Sequence, residues 1–462
     1  MYIIIFISAF FFRLILFSQE LLFTNVITGD SYEYLEIANS IKDYGVYGIN
    51  GLQDMNRTPA YPFFIYIINN ISNDNINFII YAQIILDSLS CCLIFSIGNK
   101  FLQLKFSKFF LALLVVTCLY TSAYSMMIMT ETLYSFLIIL ILFFISRLKN
   151  VNDYLYKIPF KINFIISFLF VAITLTRPIF SLCIILFFIL ISLLILISEK
   201  NKFFLNFKKL FISGFLMLIF LSPWVSRNIV FFNEDIFSPK SIATPLGYKT
   251  NYNMWKHFYL DEFKEFMKSY EEPFLLMSPI EPPVFAKYVY EEEEKDIKNA
   301  FQSLKKTKNL LVERSGKQLD FSEETRLSFA KITKKRYEIK PELYITAPLS
   351  RIVKIIFAPR IATFKLNESG FNSSKQKLIF FMSYNLIYVG LGLLFFLQFT
   401  NFRKNKLFFI FTLSVIVSHV YAYTIWMPNP QSRYLIPIIP IFALLTLMSF
   451  ENILKFLFNR SK

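Results

Sequence analysis

The chain has 462 residues, 55% of them hydrophobic and 17% charged, with 57 phenylalanines. An ordinary soluble domain carries roughly 25% charged residues, and mean hydropathy here is +0.50, so a soluble protein of two or three domains is excluded in favour of a polytopic membrane chain. The net charge of +16, from 48 Lys+Arg against 32 Asp+Glu, then reads first as loop cations placed by topology, and no nucleic-acid partner is expected.

In chain order, the first apolar stretch runs from Met1 to Phe23 and is interrupted only by Arg13. It lacks a basic start and a small-residue cleavage site, so it reads as a retained helix rather than a removed signal peptide. Further stretches long enough for a hydrocarbon core of about 30 Å run over 77–98, 109–125, 127–146, 161–176, 179–198, 209–225, 376–398, 407–426 and 434–450. The fold expected is an all-α polytopic membrane protein of about ten transmembrane helices, within a range of about 9 to 12. The stretch 109–146 is too long for one span and must turn near Tyr124 to Thr130, and 161–198 is split at Arg177-Pro178. An arginine in the lipid core is costly, so that break belongs at a membrane face.

With ten alternating spans, the loops holding Lys100, Lys105 and Lys108, then Arg147, Lys149, Lys157 and Lys161, then Lys200, Lys202, Lys208 and Lys209, then Arg403, Lys404 and Lys406, and the tail with Lys455, Arg460 and Lys462, share one side. The positive-inside rule makes that side cytoplasmic, with both termini. The opposite face receives the loop 25–76, the break near Glu131, the Arg177-Pro178 junction, the chain after Trp224 and the loop 426–433. Three parts follow: a transmembrane module over 1–227 with its exported loop 25–76, an exported region over 228–370, and C-terminal transmembrane helices over 371–462. In the exported region, Asp320-Phe-Ser-Glu323 has the capping-box pattern and opens a helix to about Lys335. After Pro341 a second helix runs to Phe357, either interfacial on the bilayer or packed in a soluble cap. The run Glu291 to Glu294 reads as a solvated face.

Cys91, Cys92, Cys118 and Cys183 all lie in apolar runs and read as small hydrophobes. Two histidines, His257 and His419, cannot make a three-histidine metal site.

The polar residues on the far face are few. Gly29-Asp30-Ser31-Tyr32-Glu33-Tyr34 opens a short amphipathic helix that carries Asp30 near its positive end; Glu33 and Glu36 either share acidic work or are simply solvated. In Arg57-Thr58-Pro59-Ala60-Tyr61-Pro62 the two prolines are expected to keep the segment out of a regular helix, and Arg57 offers a fork that grips phosphate bidentately. Glu131 opens the helix after Met129-Thr130, with apolar sequence on both sides. Arg177, Arg227 in Pro223-Trp224-Val225-Ser226-Arg227-Asn228, and Arg433 in Gln431-Ser432-Arg433-Tyr434 share the face. Singly, each could be a headgroup anchor. Together, two carboxylates and four arginines suit group transfer from an anionic, membrane-held donor: the arginines offset phosphate charge and a carboxylate takes the proton of an incoming hydroxyl.

At these residues the sequence resembles bacterial membrane glycosyltransferases of the GT-C superfamily, in the glycosyltransferase family 39 group related to protein O-mannosyltransferases and the aminoarabinose transferase of lipid A. The resemblance is carried by Gly29-Asp30-Ser31-x-x-Tyr34 with Ala38 and Gly45, Arg57-Thr58-Pro59-Ala60-Tyr61-Pro62, Thr130-Glu131-Thr132-Leu133, Thr176-Arg177-Pro178, Pro223-Trp224-x-x-Arg227-Asn228 and Arg433-Tyr434-x-x-Pro437. It implies an inverting transferase of the bacterial inner membrane, with its site on the periplasmic face, a polyprenyl-phosphate sugar as donor, and a glycan, lipid or protein as acceptor. Asp30 is then the leading general base and Glu131 its helper. Arg57, Arg177, Arg227 and Arg433 are candidates for the donor phosphate, and Tyr34, Tyr61, Trp224 and Tyr434 for the substrate pocket. Some relatives use a divalent metal, and Ser31 stands where a second acidic residue is often found, so a metal is left open. An O-antigen polymerase or ligase would concentrate its cations in the large loop, and a transporter would need polar residues at mid-helix, of which the sequence shows few.

Overall fold

The computed structural model describes residues 1–18, 26–27, 29–54, 57–148, 159–198, 203–232, 294–300, 302–303, 323–357, 405–426 and 432–459. Their helices are α1 (Tyr2–Ser18), α2 (Gly29–Tyr44), α3 (Ala60–Ser72), α4 (Ile76–Phe101), α5 (Lys105–Val116), α6 (Leu119–Ser125), α7 (Glu131–Arg147), α8 (Phe160–Thr176), α9 (Phe180–Ser198), α10 (Phe203–Phe232), α11 (Glu323–Ile339), α12 (Leu343–Phe357), α13 (Lys406–Tyr421) and α14 (Ile439–Asn459). A π-helical turn, Ala422–Trp426, follows α13, and a 3-10 turn, Ser432–Ile438, leads into α14.

Six helical stretches among the described residues are long and apolar enough to cross a membrane: Ile76–Phe101, Lys105–Ser125, Phe180–Ile197, Leu210–Phe231, Lys406–Trp426 and Arg433–Lys455. The chain is a multi-pass membrane protein on that count. Of the other expected spans, α1, α7 and α8 have 17 residues each, about 26 Å of helix, a little short of a full hydrocarbon core. The expected span 376–398 lies outside the described residues.

The break at Arg177 has a local cause. Proline disfavours a helical residue before it, and Arg177 caps α8 with an extended backbone, φ −145° and ψ 111°. The turn after α6 is held from two sides: Gln83 Nε2 on α4 donates to the carbonyls of Ser125 (3.2 Å) and Met127 (2.8 Å), and the Ile128 amide donates to Val26 O at 3.2 Å. The turn expected near Tyr124 to Thr130 is therefore present, and Thr117-Cys118 adds a second interruption between α5 and α6.

Two elements depart from expectation, the first from an all-α fold and the second from a proline segment outside any regular helix. Gly48–Ile49 and Leu52–Gln53 form a two-stranded antiparallel hairpin. Its turn is Asn50-Gly51, both with positive φ, the pairing that suits a two-residue hairpin loop. A Cβ at Gly48 would lie 1.6 Å from Leu52 O, so only glycine fits. Second, the segment Arg57–Pro62 does enter a helix. Pro59 is the N-cap of α3 and Pro62 falls in the first turn, where a missing N–H costs nothing because that turn has no acceptor for it.

The main apolar core joins α1, α4, α5, α7, α8, α9, α13 and α14. Polar groups cross it, contrary to the expectation of few mid-helix polar residues. Arg13 on α1 is fully buried and donates from Nε to Asp87 Oδ2 on α4 at 2.6 Å. Its other nitrogens reach Ala9 O (3.1 Å), Val116 O (3.1 Å), Val115 O (3.4 Å), Thr121 Oγ1 (3.4 Å) and Cys91 Sγ (3.4 Å). Cys91, expected to be inert filler, thus has polar neighbours. The same arginine serves the carbonyls left at the end of α5 by its break. Deeper in the bundle, the Tyr134 hydroxyl and His419 Nε2 are 3.0 Å apart, and His419 Nδ1 lies 2.7 Å from Val415 O. At the far end of α4, Glu451 on α14 accepts from the amides of Gln103 (3.1 and 3.0 Å) and Leu104 (2.9 Å), at the start of α5.

In the region expected to be exported, α11 begins at Glu323, and the rest of its expected capping box lies outside the described residues, as do 291–293. Glu294 pairs with Lys298 in solvent. On α12, Arg351 donates to Thr424 O at 3.0 Å, and Ile355 and Ile356 join the membrane core, while Tyr344, Ile345, Leu349 and Val353 stay exposed. One face of α12 thus seats on the helix ends and the other is open and apolar.

Candidate active site

Six chain segments converge at one end of the bundle, bringing α2, Arg57, Glu131, Arg177, Tyr423 and Arg433 together. Asp30 lies in the first turn of α2, and Ser31 Oγ anchors that turn by donating to Ile128 O at 2.8 Å. Residues three apart share a helix face, so Asp30 and Glu33 point the same way and one guanidinium reaches both. Arg57 Nη2 donates to Asp30 Oδ1 at 2.8 Å and its Nε to Glu33 Oε2 at 2.6 Å, while its plane lies 5.0 Å from the Tyr34 ring. The second oxygen of Asp30 faces Arg433 Nη1 at 3.5 Å. Asp30 is therefore held between two arginines that are 403 and 27 positions away from it.

Glu131 opens α7 and is 1% exposed. Its Oε1 is 2.6 Å from Arg177 Nη2, and Arg177 Nε donates to Thr130 Oγ1 at 2.8 Å. Tyr434 joins the two halves: the guanidiniums of Arg177 and Arg433 lie 5.9 and 4.8 Å from its ring centre. Its hydroxyl accepts from Arg433 Nη2 at 3.0 Å, and the ring stacks on Tyr423 at 3.9 Å. Tyr61 lies beneath, edge-on to Tyr34 at 5.0 Å, its hydroxyl donating to Gln83 Oε1 at 2.8 Å.

Some polar atoms in this group are not used up. Arg177 Nη1, Arg433 Nε and Glu131 Oε2 are buried without a hydrogen-bond partner among the described residues, while Glu131 Oε1 is taken up by the ion pair with Arg177. Buried orphans cost about 1–3 kcal/mol each and are rare in folded proteins. Two donors and one acceptor in one cluster are suited to an anion and a hydroxyl.

Around Arg57, partial burial works against the cation, but Tyr34, Glu33 and Asp30 outweigh it and lift its pKa well above the ordinary value. Burial raises the Tyr34 phenol. Both groups hold one protonation state through the physiological range.

Arg227 and Trp224 stand apart from this cluster, on α10 against the hairpin. Arg227 donates from Nη1 to Asp54 O (2.7 Å) and from Nη2 to Tyr47 O (2.6 Å) and lies 5.0 Å from the Trp224 ring. Thr130 and Tyr423 were not singled out by the sequence as members of the site, and Glu33 was left open between acidic work and solvation. Only Glu33 carried a signal, its three-residue spacing from Asp30.

No group of three or more His, Cys, Asp or Glu placed to hold a metal ion is found among the described residues. The carboxylates here do not suit a divalent cation: Arg57 faces Asp30 and Glu33, Arg433 faces Asp30, and Arg177 faces Glu131.

No family model and no curated protein matches the chain. Among solved structures it is similar to ArnT from Cupriavidus metallidurans in the apo state, at 11% identity and a TM-score of 0.38, over 97% of this chain and 77% of that one. It is similar also to ArnT from the same organism bound to undecaprenyl phosphate, at 10% identity and a TM-score of 0.40, over 98% and 77%. Likenesses this distant assign no activity, which has to be argued from the cluster itself.

Proposed function

We propose that the chain is an inverting membrane glycosyltransferase of the GT-C type, moving a sugar from a polyprenyl-phosphate donor to an acceptor hydroxyl or phosphate. The observation that supports it is Asp30 between Arg57 and Arg433, at 2.8 and 3.5 Å, beside a Glu131–Arg177 pair with an unused buried donor and acceptor. In the reaction the acceptor oxygen attacks the anomeric carbon, the bond from that carbon to the phosphate oxygen breaks, and polyprenyl phosphate leaves with the electron pair. The acceptor proton goes to a carboxylate of Asp30. Arg433, with the longer contact to Asp30 and a spare Nε, turns to the donor phosphate together with Arg177. That exchange removes one cation from Asp30 and makes it a better base. Glu131 accepts from a hydroxyl of the bound sugar or acceptor.

Both termini lie in the cytoplasm in this reading, and the cluster faces the periplasm of an inner membrane. The module 1–227 carries most of the site, either the exported region 228–370 or the loop after Gly45 limits water entry, and the helices of 371–462 bring Arg433. Membrane lipids surround the donor tail. The test is incubation of the purified protein with a panel of polyprenyl-phosphate sugars, with and without membrane extract, measuring release of free polyprenyl phosphate. Release by the wild type and none by Asp30→Asn is expected. Equal release by both, or none by the wild type with any donor, sinks the reading.

A further inference from the structure

The hairpin between α2 and α3 ties α10 to Arg57 through an unbroken series of short contacts. An arginine has two hydrogens on each Nη, and at Arg227 all four are engaged. Nη1 donates to Asp54 O at 2.7 Å and to Asn228 Oδ1 at 2.8 Å. Nη2 donates to Tyr47 O at 2.6 Å and to Gln53 Oε1. The two backbone carbonyls flank the hairpin, which is closed by the Asp54 amide donating to Tyr47 O at 3.2 Å. The guanidinium also lies 5.2 Å from the Tyr47 ring and 5.0 Å from Trp224, and those two rings meet edge to face at 4.9 Å. The Tyr47 hydroxyl then donates to the backbone carbonyl of Arg57 at 2.8 Å. Burial raises that phenol well above its ordinary pKa, so it stays a donor. From Arg57 the series ends on Asp30 and Glu33.

We propose that Arg227 is a positioning residue, acting through Tyr47 to set the backbone of Arg57 against Asp30, and not a ligand of the donor phosphate. A fork whose four terminal hydrogens are already taken, three by the hairpin segment and one by Asn228, has none left to grip an anion bidentately. Loosening the hairpin frees the Arg57 carbonyl and lets the guanidinium drift from Asp30, where misplacement of about 1 Å is enough to cost a hundredfold in rate.

The kinetic arm of the test rests on the transferase reading, and the exchange arm does not. Tyr47→Phe removes only the hydroxyl, Arg227→Ala removes the clamp, and both are made singly and together in the full-length protein, with thermal melting as a check on folding. Tyr47→Phe is expected to lower kcat about three- to tenfold at unchanged donor KM, Arg227→Ala by more, and the double variant by no more than Arg227→Ala alone, because both act on one series of contacts. Amide hydrogen exchange over 45–58 is expected to rise in both single variants. A tenfold rise in donor KM at unchanged kcat for Arg227→Ala would make it a phosphate ligand and overturn the proposal, as would additive losses or unchanged exchange. If the wild type transfers no sugar while exchange still rises in both variants, the transferase reading falls and the positioning of Arg57 stands; if Arg227→Ala does not fold, the exchange of Tyr47→Phe alone decides.

Discussion

Replacing Asp87 by leucine leaves Arg13 charged among apolar helices. The two side chains are 0% and 4% exposed and 2.6 Å apart, so solvent screens little of the loss. Removing one partner of a buried pair costs about 3–5 kcal/mol, and here Arg13 cannot discharge itself, because a guanidinium stays protonated at any accessible pH. The opposite variant, Arg13→Met, is expected to cost less on the charge count, since a lone buried carboxyl can take up a proton. It does forfeit the contacts to Val115 O and Val116 O, at about 1 kcal/mol each. The double variant Arg13→Met with Asp87→Leu replaces the pair by apolar volume and should recover most of the Asp87→Leu loss, ending about 1–2 kcal/mol below wild type because those two carbonyls stay uncapped. Unfolding midpoints in a mixed-micelle denaturant series, read by circular dichroism, give the order. An Asp87→Leu protein as stable as the double variant would refute the reasoning, since it would mean that the charge of Arg13 is solvated by something other than Asp87.

Asp30→Asn is expected to abolish sugar transfer with wild-type expression and melting, measured by polyprenyl-phosphate release; equal loss of folded protein would make Asp30 a helix cap only. Arg433→Lys keeps the charge but loses the planar fork, so donor affinity should fall severalfold in a lipid-binding titration, and an unchanged affinity removes Arg433 from the phosphate. Gln83→Leu strips the donors from Ser125 O and Met127 O and the acceptor from Tyr61, which should destabilise the fold by about 3 kcal/mol and loosen the turn that leads to Glu131. Outside the apolar helices, Lys331 donates to Asp296 at 2.9 Å and, with Lys335, holds its carboxyl below the usual range. A lowered folded pKa stabilises above the unfolded value and is lost as pH falls through the folded one. Protection of the 294–300 amides, relative to their intrinsic exchange, should therefore persist at pH 5 and fall only in more acid solution, and Asp296→Asn should abolish that dependence.

How much of this was legible differs from residue to residue. The break at Arg177-Pro178 was, because proline acts on its immediate neighbour. So was the short helix opening at Asp30, from its apolar spacing. The sequence reading also put Asp30, Arg57 and Arg433 on one face, but not the arginines at 2.8 and 3.5 Å from Asp30, since partners 27 and 403 positions apart leave no local trace. Arg13 was visible as a lone charge in an apolar run, while Asp87 was passed over inside another; lone opposite charges in two spans are candidates to pair, and that rule was the available signal. Pro62 misled because a proline count ignores position: inside a helix it breaks, in the first turn it fits. Arg227 shared its face and residue type with the other arginines, and only the carbonyls of the hairpin distinguish it.

The carboxylate of Glu451 has a bearing on how the protein is made. It caps the amides of Gln103 and Leu104 from 348 and 347 positions downstream, and α5 has no side-chain cap of its own at Leu104. At about 5–20 residues per second, the ribosome needs tens of seconds to deliver that cap after α5 has entered the bilayer. During that interval the amides at the start of α5 lack this carboxylate. Arrival of α14 thus completes the start of α5, and a chain truncated before residue 451 should be less stable there by the worth of those capping bonds.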